Sequence, residues 1–297
     1  MQKLKILTSS SNKRTCHFLL LIVILLLTAA SLSQAQPTRF AAGYYNRGNE
    51  RFKNGDFEGA IADYDAAITS YPRWAVAYYM RGSARYEKGD LDGSIADYTK
   101  AIEIEPHLAM AHFNRGKARR DNGDPDGSIA DYTRAIEINP HLSSAFNNRG
   151  NVRREKGNLD GAMTDLNSAV RLDPHNAVVY NNRGLVRRAK GELKGAISDY
   201  NKAIEINPRF VEAYSNRGNA RQDGGDLDGS IVDYELALKI DPSFAKAYGN
   251  RGLARLFQGD KVGAEKDFDK CLRLDPNLKP FLEKQIERAK QQLGARQ

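Results

Sequence analysis

A period of 34 residues, repeated seven times without insertion, constrains this chain more than any other feature. The segments run 41–74, 75–108, 109–142, 143–176, 177–210, 211–244 and 245–278. A fixed period of this length means stacked supersecondary units, each too small to bury its own apolar face alone. The punctuation is equally regular. Of 25 glycines, 21 fall at three positions of the repeat, as at Gly48, Gly55 and Gly59, and seven of the ten prolines close the units, from Pro72 to Pro276.

Within a unit the pattern reads as two helices. In the second segment the first helix is expected near Val76 to Lys88, stopping at Gly89, where the absent Cβ tolerates a left-handed helix end. Asp90 then caps a second helix, in which Ile95, Tyr98, Ala101 and Ile102 recur at three- and four-residue spacing as one buried stripe. Pro106 ends it. Gly82 is expected to face Ser94 and Ala101, whose small side chains let the two helices approach. In the third segment Pro125 follows Asp124, at the first-turn position where a missing N–H costs nothing.

The spacing of Tyr78, Gly82, Ser94, Tyr98, Ala101 and Pro106, recurring over 238 of 297 residues, resembles the tetratricopeptide-repeat family. The resemblance implies an all-α fold: a right-handed superhelical solenoid of antiparallel helix pairs over residues 41–278. A short extension, 36–40, precedes it, and a C-terminal capping helix and tail, 279–297, follow. Phe281, Leu282, Ile286, Ala289 and Leu293 share one face of that last helix, as a cover over the final repeat requires. The implied function is a non-catalytic scaffold that binds extended polypeptides in a concave groove lined by first helices.

The chain departs from the family pattern at two arginines per repeat. Arg47, Arg81, Arg115, Arg149, Arg183, Arg217 and Arg251 stand where the family carries Leu, and Arg51, Arg85, Arg119, Arg153, Arg187, Arg221 and Arg255 follow four residues on. Two cations at this spacing repel unless neutralised. The second helices supply Asp63, Asp97, Asp131, Asp165, Asp199, Asp233 and Asp267. An Arg–Asp–Arg ladder is therefore expected, typified by Arg115, Arg119 and Asp131. Tyr64, Tyr98, Tyr132, Tyr200 and Tyr234 are expected to offer ring faces to the guanidinium groups.

Three sets of residues are expected in the groove. An asparagine row, Asn46, Asn114, Asn148, Asn182, Asn216 and Asn250, interrupted by Met80 and joined by Asn49, Asn151 and Asn219, can pair with peptide groups without reading sequence; packing between neighbouring repeats is the equal alternative. This row resembles the asparagine ladder in the repeats of O-linked N-acetylglucosamine transferases. An aromatic patch toward the N-terminus comprises Tyr45, Phe52, Tyr79, Tyr86 and Phe113. A basic stripe, Arg120, Arg154 and Arg188, offers an alternative function, holding an acidic peptide or an anionic polymer, with Asp121 and Glu155 beside it as competitors. The carboxylate clamp of some family members needs Lys and Arg where this chain has Val, Tyr, Phe and Asn.

No catalytic constellation is legible. His107, His141 and His175 follow the closing prolines 34 residues apart, which is no metal cluster, and His112 takes an aromatic packing position. No nucleophile–base arrangement or phosphate loop stands outside the repeat, so neither enzyme activity, cofactor nor metal is expected. Cys271 replaces the alanine of other repeats and reads as a packing residue.

Residues 1–35 read as an export signal, with basic residues first, an apolar run from Phe18 to Ala30 and small residues at Ser33 and Ala35. Cleavage is expected after Ala35, giving a periplasmic or secreted protein; an uncleaved inner-membrane anchor is the alternative. Cys16 precedes the apolar run, which argues against lipidation. Lys3, Lys5, Lys13 and Arg14 account for half of the net charge of +8, leaving 41 basic against 37 acidic residues. That excess does not argue for nucleic acid. Expected partners are other proteins or peptides, a membrane only through an uncleaved leader, with self-association left open.

Overall fold

The computed structural model describes residues 37–294. The expected leader, 1–35, lies outside the described residues. Those residues form fifteen α-helices and no strand, so the chain is the all-α repeat solenoid that its period implies. Two compact units divide it, one ending at Asp90 and the other starting at Leu91. The boundary falls between the two helices of the second repeat.

The first unit holds α1 (Arg39–Lys53), α2 (Phe57–Ser70) and α3 (Ala75–Glu87). Helix α1 begins at Arg39 rather than at the repeat boundary, because the Thr38 hydroxyl caps it by accepting from the Ala41 N–H at 3.2 Å. Tyr64, Ala60 and Ala84 form its core, and Tyr45 and Phe52 pack around them.

The second unit continues with α4 (Leu91–Ile104), α5 (Ala109–Asp121), α6 (Pro125–Ile138), α7 (Ser143–Glu155), α8 (Leu159–Leu172), α9 (Ala177–Ala189) and α10 (Leu193–Ile206). It then runs through α11 (Val211–Asp223), α12 (Leu227–Ile240), α13 (Ala245–Gln258) and α14 (Lys261–Leu274). A 3-10 turn, Pro276–Leu278, leads into α15 (Lys279–Gly294). The final helix lies against α13. Its Leu282 and Ala289 are buried, and Ile286 and Leu293 pack on Leu253, Leu256 and Ala264.

Local chemistry explains the helix pairs. Gly123 has φ +82°, a left-handed conformation that ends α5 without Cβ strain. Asp124 follows as N-cap of α6, its carboxylate accepting from the Gly127 N–H at 2.8 Å, with Pro125 in the first turn.

The repeat's first glycine meets a small second-helix residue, as expected, and a large side chain beside it. In the second unit it meets the second-helix aromatic ring: a Cβ built on Gly184 would lie 2.6 Å from Tyr200 Cε1, and one on Gly116 would lie 2.9 Å from Tyr132 Cε1. Glycine is required because a large side chain, Tyr200 or Tyr132 in these repeats, fills the space between the helices, while the small residue beside it lets the backbones close in: Ser230 O and Ala264 O would lie 3.1 and 3.2 Å from Cβ atoms built on Gly218 and Gly252.

Candidate functional site

The buried aspartates of the second helices organise each repeat. Asp131 is 3% exposed. Arg115 donates from Nε to Asp131 Oδ2 at 2.9 Å and from Nη2 to Oδ1 at 2.7 Å, and Arg119 Nη1 reaches Oδ2 at 2.9 Å. The same fork recurs at Asp165, Asp199, Asp233 and Asp267. Burial works against the charged form of Asp131, yet the His112 ring nitrogen at 3.7 Å, the Arg115 hydrogen bonds and the two guanidinium charges outweigh it. They hold the carboxyl below its ordinary range.

The rings that meet the guanidinium groups are not the buried tyrosines. Arg183, Arg217 and Arg251 lie 5.4, 5.4 and 5.5 Å from the ring centroids of Tyr180, Tyr214 and Tyr248, each three residues earlier on the same helix. Helical spacing brings those pairs together, whereas Tyr132 and Tyr200 are inserted edge-on against the glycines.

One further kind of contact escaped the sequence reading. In four repeats of the second unit the remaining arm of the first arginine turns back sixteen residues to the preceding second helix. Arg115 Nη1 donates to Thr99 Oγ1 at 3.0 Å, Arg149 to Thr133 at 2.9 Å, Arg183 to Asn167 at 3.1 Å and Arg217 to Asn201 at 2.7 Å. Each guanidinium thus ties its own repeat to the one before. A polar residue recurring every 34 positions was the available signal.

The expected asparagine row is only partly free. Asn182 Nδ2 donates to Asn147 Oδ1 and Asn216 Nδ2 to Asn181 Oδ1, both at 2.9 Å. These two side chains are spent between neighbouring repeats. Asn148 accepts from Asn147 at 3.2 Å. Its own amide lacks the acceptor that Asn182 enjoys, because Phe113 stands where the next repeat has Asn147. Asn114 and Asn250 are half-buried, Asn46 is exposed, and Asn49 accepts from the Tyr64 hydroxyl at 2.8 Å.

The aromatic patch also needs correcting. Phe113 is buried against Tyr132, with centroids 5.7 Å apart, and belongs to the core. In the first unit Tyr45 stacks 4.6 Å from Trp74, and Phe52 meets Phe57 edge-on at 5.4 Å. Both are half-buried rim residues, as are Tyr79 and Tyr86. Every arginine of the expected basic stripe faces a carboxylate. Arg120 pairs with Asp121 at 2.8 Å, Arg154 approaches Glu155 at 3.5 Å, and Arg188 Nε donates to Asp223 at 2.6 Å.

A concavity with both apolar and polar lining lies elsewhere. First helices α7, α9, α11 and α13 touch in succession, and α15 folds over the last of them. Beneath it is a cavity of about 590 Å³. Leu253, Phe281 and Leu282 form an apolar wall, while Lys246, Asn250 and Gln285 supply polar groups; Arg188 and Asp223 close one side as a neutral pair. Lys246 is exposed, and neither it nor Asn250 has a side-chain partner among the described residues. Cys271 lines the floor, 1% exposed, and burial raises its thiol pKa. Sequence spacing identified Asn250 but not Lys246 or Gln285, because the latter two depend on where α15 folds.

Comparison with known proteins agrees with this architecture. A model described as "TPR repeat" matches residues 150–187, 184–224 and 218–259, and models described as "Tetratricopeptide repeat" match 45–109, 79–143 and 245–278. No curated protein matches significantly. Among solved structures, a tetratricopeptide repeat protein from Parabacteroides merdae has a TM-score of 0.69 at 19% identity, covering 85% of this chain and 100% of that one. The APC/C hetero-tetramer Cut9-Hcn1 has a TM-score of 0.68 at 18% identity over 83% of this chain, which spans only 48% of the length it matches there. YrrB, described as a TPR protein with an unusual peptide-binding site, has a TM-score of 0.50 at 23% identity, covering 64% of this chain and 97% of that one. At these identities the structures share the fold alone. With the period, the succession of helix pairs and the matching repeat models in agreement, the chain belongs to the tetratricopeptide-repeat family.

Proposed function

We propose that this protein is a non-catalytic scaffold that holds an extended segment of another polypeptide along its first-helix face, ending in the cavity beneath α15. The supporting observation is the convergence there of Lys246 and Asn250, both without partners, with the apolar wall of Leu253, Phe281 and Leu282. An Asn amide carries both a donor and an acceptor, so Asn250 can pair with a peptide group of any sequence. The ammonium of Lys246 favours a carboxylate, and the wall favours an apolar side chain beside it. A peptide with an aliphatic or aromatic residue next to an acidic one, or next to a C-terminal carboxylate, fits this chemistry. Family membership supports interaction with proteins or peptides in general, and the segment class is the finer reading.

Selection from a displayed random-peptide library against the purified protein tests it, with Lys246→Glu and Phe281→Ala as comparators. Selected peptides should share the apolar–acidic pair and lose at least about tenfold in affinity for each variant. Equal binding to both variants would place the ligand elsewhere. Binding that collapses with salt and follows Arg120, Arg154 and Arg188 instead would favour an anionic polymer. The export reading of residues 1–35 is part of the proposal. N-terminal sequencing of the mature protein should begin at Gln36, and an intact Met1 in the membrane fraction would replace export with anchoring.

A further inference from the structure

In the first repeat the arginine fork is incomplete. Arg47 holds Asp63 through Nε at 2.9 Å and Nη2 at 2.5 Å. No second helix precedes α1 among the described residues, and Arg47 Nη1 meets no oxygen there. Its side chain is 54% exposed, against 11–15% for its counterparts Arg149 and Arg183. The face of α1 that carries it is the face every other first helix buries: Ala111, Ala145 and Ala247 occupy the position of Gly43, and Ala118, Val152 and Ala254 that of Glu50, all wholly buried.

On α1 this face has been altered in a particular way. Phe40 is 80% and Tyr44 36% exposed, so large apolar surface remains. Gly43 has open space where a Cβ would be, which lets a second backbone approach. Glu50, exposed and without a partner among the described residues, stands three positions after Arg47 and on the same side of the helix. A cover made only for solubility would not keep Phe40 and Tyr44 in the open. A preceding repeat of the internal kind would set an aliphatic side chain against Glu50. The same charge excludes a head-to-tail stack, because the last second helix presents Glu265 where the other second helices present Ile or Met.

We propose that this face is a self-complementary interface between two copies of the chain. The two α1 helices pair antiparallel about a two-fold axis, with Arg47 of each copy opposite Glu50 of the partner subunit. A two-fold interface requires that a contact between two positions occur twice, and opposite charges one helical turn apart meet that requirement in antiparallel pairing. The idle Nη1 of Arg47 gains a carboxylate, and Phe40 and Tyr44 flank the paired charges. One helix face per subunit is a small interface, so the dimer dissociates in the micromolar range.

Sedimentation equilibrium of the purified chain from low to high micromolar concentration reads this directly. Wild type should pass from monomer to dimer and no further. Glu50→Arg, which touches no intramolecular partner and sets four cations together, should weaken the dimer at least about tenfold while the far-ultraviolet circular dichroism stays unchanged. Phe40→Glu should do the same, and Phe281→Ala, at the far end of the array, should have no effect. A wild type that stays monomeric throughout overturns the proposal. So does a dimer that survives Glu50→Arg and Phe40→Glu, or assembly beyond two subunits. Phe281→Ala separates this outcome from peptide capture, which it impairs.

Discussion

The buried second-helix tyrosines show how one residue's polarity depends on a single partner position. Tyr234 donates its hydroxyl to Asn219 Oδ1 at 2.8 Å, as Tyr64 does to Asn49. Where Lys117 or Leu185 replaces that asparagine, the Tyr132 and Tyr200 hydroxyls are buried without a partner, and where Leu166 replaces the tyrosine, Asn151 Oδ1 is the orphan. The apolar pair Leu253 and Phe268 avoids the problem. Replacing Asn151 by Leu should therefore stabilise the protein by about 1 kcal/mol, the scale of an unmet buried acceptor; a loss of stability in urea melts would mean that solvent already satisfies it. Removing the Asp131 carboxylate acts in the opposite direction. Asp131→Ala leaves two guanidinium groups without their charge partner and should cost about 3 kcal/mol. The pH dependence has a definite sign, because the native pKa of Asp131, like that of Asp63, is lowered. The unfolded state binds the proton first, so the contribution is complete above about pH 5, about one unit over the ordinary carboxylate value, and is lost as pH falls through the lower native value. Urea midpoints should be flat from neutrality to about pH 5 and fall below that, less steeply in Asp131→Ala.

Single helices are governed by the two kinds of glycine, and these predict different penalties. Gly184→Ala drives a Cβ to 2.6 Å from the Tyr200 ring. Overpacking of this kind should cost about 2–3 kcal/mol despite the better helix propensity of Ala. Gly191→Ala meets nothing within 4 Å but sits at φ +78°, so only backbone strain of about 1 kcal/mol applies. Thermal melts that rank the two the other way would show that Tyr200 moves aside easily. Helix positions were legible because Gly, Asp and Pro act locally and recur. The Arg115–Asp131 pairing was legible too, since opposite charges repeat together every 34 residues. Packing direction was not. Whether an aromatic such as Phe113 lies on a face or beneath it turns on the neighbouring repeat, and whether Asn182 is free turns on Asn147, a residue 35 positions earlier that local periodicity does not single out.

At the scale of the second unit, most contacts join one helix to the next, and stability is then close to a sum of neighbouring interfaces. Leu282, 3% exposed, anchors α15 to the last repeat. Leu282→Ala should cost about 2–4 kcal/mol, and the loss should stay local: amide exchange should accelerate in α13, α14 and α15 while α6 to α8 remain protected. Uniform acceleration across the unit would mean that the array opens as one body. The forked guanidinium has a consequence for how such a chain can change over generations. Each internal fork reaches sixteen residues forward and sixteen back, so a gene segment of 34 codons can be duplicated or lost with every internal fork still finding its partners on both sides. An insertion of two or three codons inside a helix would strand the forks on either side. Changes in length that keep the internal forks whole are thereby quantised in whole repeats, and the uninterrupted 34-residue period of the sequence obeys that rule.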